Sequence, residues 1–116
     1  MLLMSLAFTW IAAGCGSTRV ETPGQAVQMA VSEYRLNPDR ISASPGVVSI
    51  VVHNYGRLTH NLVVSQNGQT VAGTQPIPPG DSMELDLDLA PGTYTMASTM
   101  HSDQTLGVYG TLHVSQ

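Results

Sequence analysis

Lysine is absent from this chain of 116 residues, and its only 4 cations are arginines, set against 8 Asp+Glu for a net charge of −4. A nucleic-acid surface needs a basic side chain for most of the phosphates it neutralises, so that class of function is excluded. Charged residues make up 10% of the chain and apolar ones 42%, which argues against both an acidic disordered tail and a soluble coiled coil. Cysteine occurs once, as Cys15. No intrachain disulfide, iron–sulfur cluster or cysteine zinc site can be built from it. Phe8 and Trp10 are likewise single, so a core must come from Val, Leu, Ile, Met and tyrosine. A chain of this length suits one domain.

What is present begins with an uncharged apolar run over residues 1–14. That is short of the roughly 20 residues a bilayer-spanning helix needs, and it reads as the hydrophobic region of an export signal. The following Ala12-Ala13-Gly14-Cys15 resembles the lipobox of bacterial lipoproteins, with Ala12 where that motif favours leucine three places before the cysteine and Ile11 one place further back. The resemblance implies cleavage before Cys15, a lipid on its sulfur and a place in the cell envelope, outside the cytoplasm. Residues 15–24 then read as a lipidated cysteine and flexible tether, being small and polar (GSTRVETPG after the cysteine), and residues 25–116 as the folded domain. Dual acylation would hold such a domain on a membrane surface without a transmembrane helix.

From residue 25 onward the periodicity is that of strands. Met83, Leu85, Leu87 and Leu89 alternate with Glu84, Asp86 and Asp88, which predicts a strand over 82–89 with one face buried and the acidic face in water. Carboxylates two apart on a strand are separated by about 6.6 Å, too far for all three to grip one ion. Val27, Met29 and Val31 alternate in the same way. Further strands are predicted over 40–44, 47–54, 60–65, 94–99 and 109–114, with turns at Pro45-Gly46, Asn67-Gly68 and Ala90-Pro91-Gly92 and a proline-rich loop over 75–81. Met29, Met83 and Met96 share parity with apolar neighbours and read as core, while His53 and His113 read as surface residues. No segment predicts an amphipathic helix. Roughly seven or eight short strands imply an all-β antiparallel sandwich or barrel.

The order of these segments resembles the cupredoxin family. The resemblance covers residues 29–114 and rests on Glu33-Tyr34-Arg35-Leu36-Asn37-Pro38 before Ile41-Ser42-Ala43-Ser44-Pro45-Gly46, then Val51-Val52-His53-Asn54 before Thr59-His60-Asn61-Leu62-Val63-Val64. Ile77-Pro78-Pro79-Gly80-Asp81-Ser82, Ala90-Pro91-Gly92-Thr93-Tyr94-Thr95 and the closing Gly107-Val108-Tyr109-Gly110-Thr111-Leu112 follow in sequence. It implies a Greek-key β-sandwich. It also implies four copper-ligand positions, which a blue copper centre fills with two histidines, a cysteine thiolate and a weak axial methionine. Counted without gaps from the closing segment, those positions hold His60, Ser98, Asp103 and Val108. A hydroxyl is no soft anionic ligand, so a type 1 electron-transfer site is not expected.

A non-blue copper or zinc site is a second expectation, formed by His60, His101, Asp103 and Met100 where the 100–105 loop passes His60. Against it stands the reading in which His101 and Asp103 are exposed loop residues and His60 is simply hydrogen-bonded. Ser98, His101 and Asp103 contain the residue types of a hydrolase triad, but they lack a strained nucleophile turn and a glycine-rich oxyanion loop. The sequence therefore points to a small extracytoplasmic binding module that takes an envelope protein or a weakly held metal ion. The alternatives are copper storage or delivery through His60 and His101, and electron transfer.

Overall fold

The computed structural model describes residues 19–22 and 26–116. Ten strands and one helical turn follow in order: β1 Arg19–Thr22, β2 Ala26–Ser32, β3 Arg35–Asn37, β4 Arg40–Ala43, β5 Gly46–Asn54, β6 Val63–Gln66, β7 Gln69–Gly73, β8 Ser82–Leu89, β9 Gly92–Ala97, α1 Asp103–Leu106 and β10 Tyr109–Val114. They form two sheets, with strand orders β1-β4-β10-β9-β6-β7 and β3-β2-β5-β8. The chain crosses repeatedly from one sheet to the other, which is Greek-key connectivity.

Alternation dictates which face is inside. Along β8, Leu85, Leu87 and Leu89 are buried and Glu84, Asp86 and Asp88 are exposed, as their period predicts. Burying each such leucine stabilises by about 1.5–3 kcal/mol relative to exposure. Val27, Met29 and Val31 of β2, and Val48, Ile50 and Val52 of β5, face the same interior. Ile41, Val64, Met96 and Leu112 meet them from the larger sheet. Met29 and Met96 are core residues and Met83 packs against the core in part, in accord with their parity.

Four features differ from the sequence expectation. Arg19–Thr22, inside the stretch read as tether, is a strand paired parallel to β4. The sheets are mixed, since β4 with β10 and β2 with β5 are also parallel pairs. The strands β3 and β7 went unpredicted because three residues, or a mostly exposed polar run, carry no hydrophobic period. A single turn of helix, α1, interrupts the loop before β10. Residues 1–14 and the cysteine assigned to lipidation lie outside the described residues.

Strand direction fixes the site. The strand β10 runs away from α1, and β5 ends at Asn54 on that same side. The β2–β3 turn, the β5–β6 loop and the β9–β10 loop therefore converge at one end of the sandwich.

Candidate functional site at the α1 end of the sandwich

His60 lies in the β5–β6 connection, pinned by a two-way backbone bridge with Ile77 (N–H of His60 to O of Ile77 3.2 Å, N–H of Ile77 to O of His60 2.7 Å). The buried Asn54 shapes the loop before it, donating to the carbonyls of Leu58 and Ile77 and accepting from the Gly56 amide, each at 2.8 Å. Glu33 reaches across from the β2–β3 turn and accepts the amides of Leu58 at 2.6 Å and Arg57 at 2.8 Å. A Cβ at position 56 would meet the Glu33 carboxylate, so a larger residue there would push that side chain away from the amides it accepts.

The other side of the site comes from the β9–β10 loop. Ser98 follows β9 and donates its amide to the Val108 carbonyl at 3.1 Å. Asp103 opens α1, and its carbonyl accepts the amides of Gly107 at 3.0 Å and Val108 at 2.9 Å. Gly107 has a φ of +128°, and a Cβ there would approach the Tyr34 carbonyl oxygen to 2.7 Å, so this turn demands glycine.

Between these walls the polar side chains satisfy one another. Asp103 Oδ2 lies 2.6 Å from His60 Nδ1 and 2.6 Å from Ser98 Oγ. The single hydroxyl hydrogen of Ser98 goes to that carboxylate, and the same oxygen accepts the amides of Asn61 at 3.3 Å and Met100 at 3.4 Å. Asn61 completes the wall by accepting the Thr99 amide at 2.8 Å and donating to the Thr99 hydroxyl at 2.9 Å. On the other edge of the imidazole, His60 Nε2 is 3.3 Å from Glu33 Oε1. His60 and Ser98 are fully buried and Asp103 is 2% exposed, so each of these bonds replaces water that cannot enter. Glu33 titrates below its ordinary 4.5: partial burial pushes it up, but the amides of Leu58, Glu33 itself and Arg57, with the His60 ring, outweigh that.

A model of the cupredoxin-like domain matches residues 2–109. The chain belongs to the cupredoxin family. Among solved structures, this cupredoxin resembles the reduced auracyanin of Roseiflexus castenholzii at 17% identity and a TM-score of 0.72, covering 87% of this chain and 100% of that one. It resembles auracyanin A of Chloroflexus aurantiacus, described as a blue copper protein, at 16% identity and 0.69 over 79% and 100% of the two chains. Rusticyanin of Thiobacillus ferrooxidans follows at 15% identity and 0.66 over 82% and 80%. At these identities the likeness shows the fold. No curated protein matches the chain.

The family brings with it the expectation of copper, which the donor set can be tested against. The four positions that the resemblance assigns to ligands do meet in space, through the bonds of His60, Ser98, Asp103 and Val108 described above. Their chemistry does not fit a type 1 centre. Ser98 offers a hydroxyl already donated to a carboxylate, Val108 offers no donor side chain, and Asp103 occupies the ring nitrogen of His60. The cupredoxin's one cysteine is residue 15, outside the described residues.

Of the metal set expected from sequence, His60 and Asp103 are brought together. His101 is exposed with a φ of +52°, and Met100 is half-buried. Among the described residues no three His, Cys, Asp or Glu side chains are grouped to hold a metal ion. The alternative picture of Asp103 as an exposed loop residue is corrected: the turn of α1 rolls it inward. The triad residue types are also rearranged, because the carboxylate sits between serine and histidine and the Ser98 hydroxyl faces it rather than the imidazole. Sequence reasoning missed Glu33 and Asn61 as partners. Their signals were an acid in the first family anchor and an amide directly after His60.

Proposed function

We propose that this cupredoxin is a small lipid-anchored binding module of the cell envelope, facing away from the cytoplasm and taking an envelope protein as its partner. In this reading a hydrogen-bonded Glu33–His60–Asp103–Ser98 cluster stands where blue copper proteins of the fold hold metal. One observation carries it: Asp103 Oδ2 binds His60 and Ser98 at 2.6 Å each, so the ligand positions are committed to one another. The anchor is supported by the Ala12-Ala13-Gly14-Cys15 pattern. Among the described residues no helix is long and apolar enough to cross a membrane.

Copper titration of the full chain tests the site. The expected result is weak uptake, identical in wild type, His60→Ala and His101→Ala. Stoichiometric binding lost in His60→Ala and reduced in His101→Ala would overturn it in favour of copper storage or delivery. An intense copper–thiolate band in the visible would overturn it in favour of an electron carrier. For the anchor, Cys15→Ser is expected to leave the membrane fraction.

A further inference from the structure

Where the chain enters the domain has a geometric consequence. The strand β1 pairs parallel to β4 with Arg19 opposite Arg40, and β4 pairs parallel to β10 with Arg40 opposite Thr111. All three strands therefore run away from the α1 end, and the chain before Arg19 arrives from that end. Thr111 lies two residues beyond Tyr109, the first residue of β10, so Arg19 sits roughly 7 Å below the level at which that strand begins. Three residues separate Cys15 from Arg19, four steps of chain that span at most about 14 Å when fully extended.

The surface at this end is unlike the rest. Among the described residues seven large apolar side chains are exposed, and five of them lie here: Tyr34, Tyr55, Leu58, Leu106 and Tyr109, from 42% to 73% exposed. Gly107, the residue after Leu106, lies against Tyr34, and the Leu58 amide is held by Glu33. Arg35 and Arg57 are exposed among them, with Asp81 as the exposed acid at this end. The acidic row Glu84, Asp86 and Asp88 runs down β8 toward the opposite end. Tyrosine with leucine and arginine is the composition that favours a bilayer interface, where amphipathic rings and guanidinium groups sit among headgroups.

We infer that the α1 end of the sandwich is seated on the lipid surface, with Tyr34, Leu58, Leu106 and Tyr109 in the headgroup layer. This rests on the anchoring at Cys15 proposed above. Reach decides the orientation. The tether from the lipid covers the distance to Arg19 with only a few ångströms of slack when the α1 end faces the bilayer. Turning the other end down would ask it to reverse at Arg19 and run back about 10 Å, from the level of Thr111 to that of Val114, before the turns at that end, and the reversal itself uses up part of the four steps. The far turns and the acidic β8 face are thereby left to the aqueous side, where a protein partner is met.

The test uses the full lipidated chain in phosphatidylethanolamine/phosphatidylglycerol vesicles, with and without brominated acyl chains. Two reporters, Leu106→Trp and Val47→Trp, are each made in the chain that begins at the lipidated Cys15, which has lost Trp10 with residues 1–14, so that the introduced indole is the sole one. Val47 is exposed at the start of β5, at the far end. The expected result is a blue-shifted emission from position 106, quenched by the brominated chains, beside a water-like and unquenched emission from position 47. Interfacial side chains sit about 5–10 Å into the headgroup and acyl boundary, within reach of such quenchers. Should Leu106→Trp fail to fold, Tyr109→Trp reads the same surface. Unquenched emission from position 106 or 109 on protein that floats with the vesicles would overturn the seating while leaving the anchor intact. Protein that fails to float, in wild type and Cys15→Ser alike, would overturn the anchor and the seating together.

Discussion

Asp103→Ala is the sharpest probe of how the α1 end is held. It deletes the acceptor shared by two groups with no access to water, the His60 Nδ1–H and the Ser98 hydroxyl. An orphaned buried donor costs about 1–3 kcal/mol, and two are orphaned here. Relief of the carboxylate's own desolvation offsets part of this, so the expected loss is about 3 kcal/mol. Against a total stability of roughly 5–15 kcal/mol, that lowers the melting temperature by more than about 10 °C. Ser98→Ala leaves Asp103 on His60 but removes the hydroxyl's bond to Asp103 and the acceptor of the Asn61 and Met100 amides, and should cost about 1–3 kcal/mol. Urea unfolding followed by circular dichroism gives both values, and an unchanged m-value shows that the same surface is exposed. In the Asp103→Ala/His60→Ala double variant the losses should fall short of additive by more than about 0.5 kcal/mol. An Asp103→Ala protein within about 1 kcal/mol of wild type, or strict additivity, would refute the claim that this carboxylate ties the two loops together.

Other outcomes follow from the same geometry. Because Glu33 titrates below its unfolded value, its contribution is fully present above about pH 4.5 and is lost as the pH falls through the lower folded pKa. Glu33→Gln should therefore flatten the decline in melting temperature between about pH 5 and pH 3, and an unchanged slope would count against it. Gly107→Ala, forced to a φ of +128° against the Tyr34 carbonyl, should lose at least about 1–2 kcal/mol in chemical denaturation. The triple variant Ser98→Cys, Asp103→His, Val108→Met supplies the missing donors; with Cu(II) it should show a copper–thiolate absorption that wild type lacks.

How much of this could be read in the sequence depends on whether a residue's role is periodic. Ser82–Leu89 and Tyr109–Val114 occur where alternation puts them, because half-buried strands print their inward face at every second residue. Arg35–Asn37 and Gln69–Gly73 are strands through pairing alone, and pairing leaves no mark on three residues or on an exposed run. At the site, counting placed Ser98, Asp103 and Val108 beside His60, yet whether His101 or Asp103 faces the ring was settled by one turn of helix. Glu33 was out of reach for a different reason. Its contact with His60 spans 27 residues and depends on a loop glycine, Gly56, whose importance appears only once the carboxylate lies against it.

The four-residue ladder of β1 on the rim of the larger sheet has a bearing on handling and turnover. With it in place, the free side of β4 is capped by main-chain partners. A molecule clipped after Thr22 leaves that rim bare, a row of unsatisfied amides and carbonyls offered to any extended peptide. Trimmed material therefore exposes the edge of β4, where the untrimmed protein exposes the outer edge of the four-residue β1.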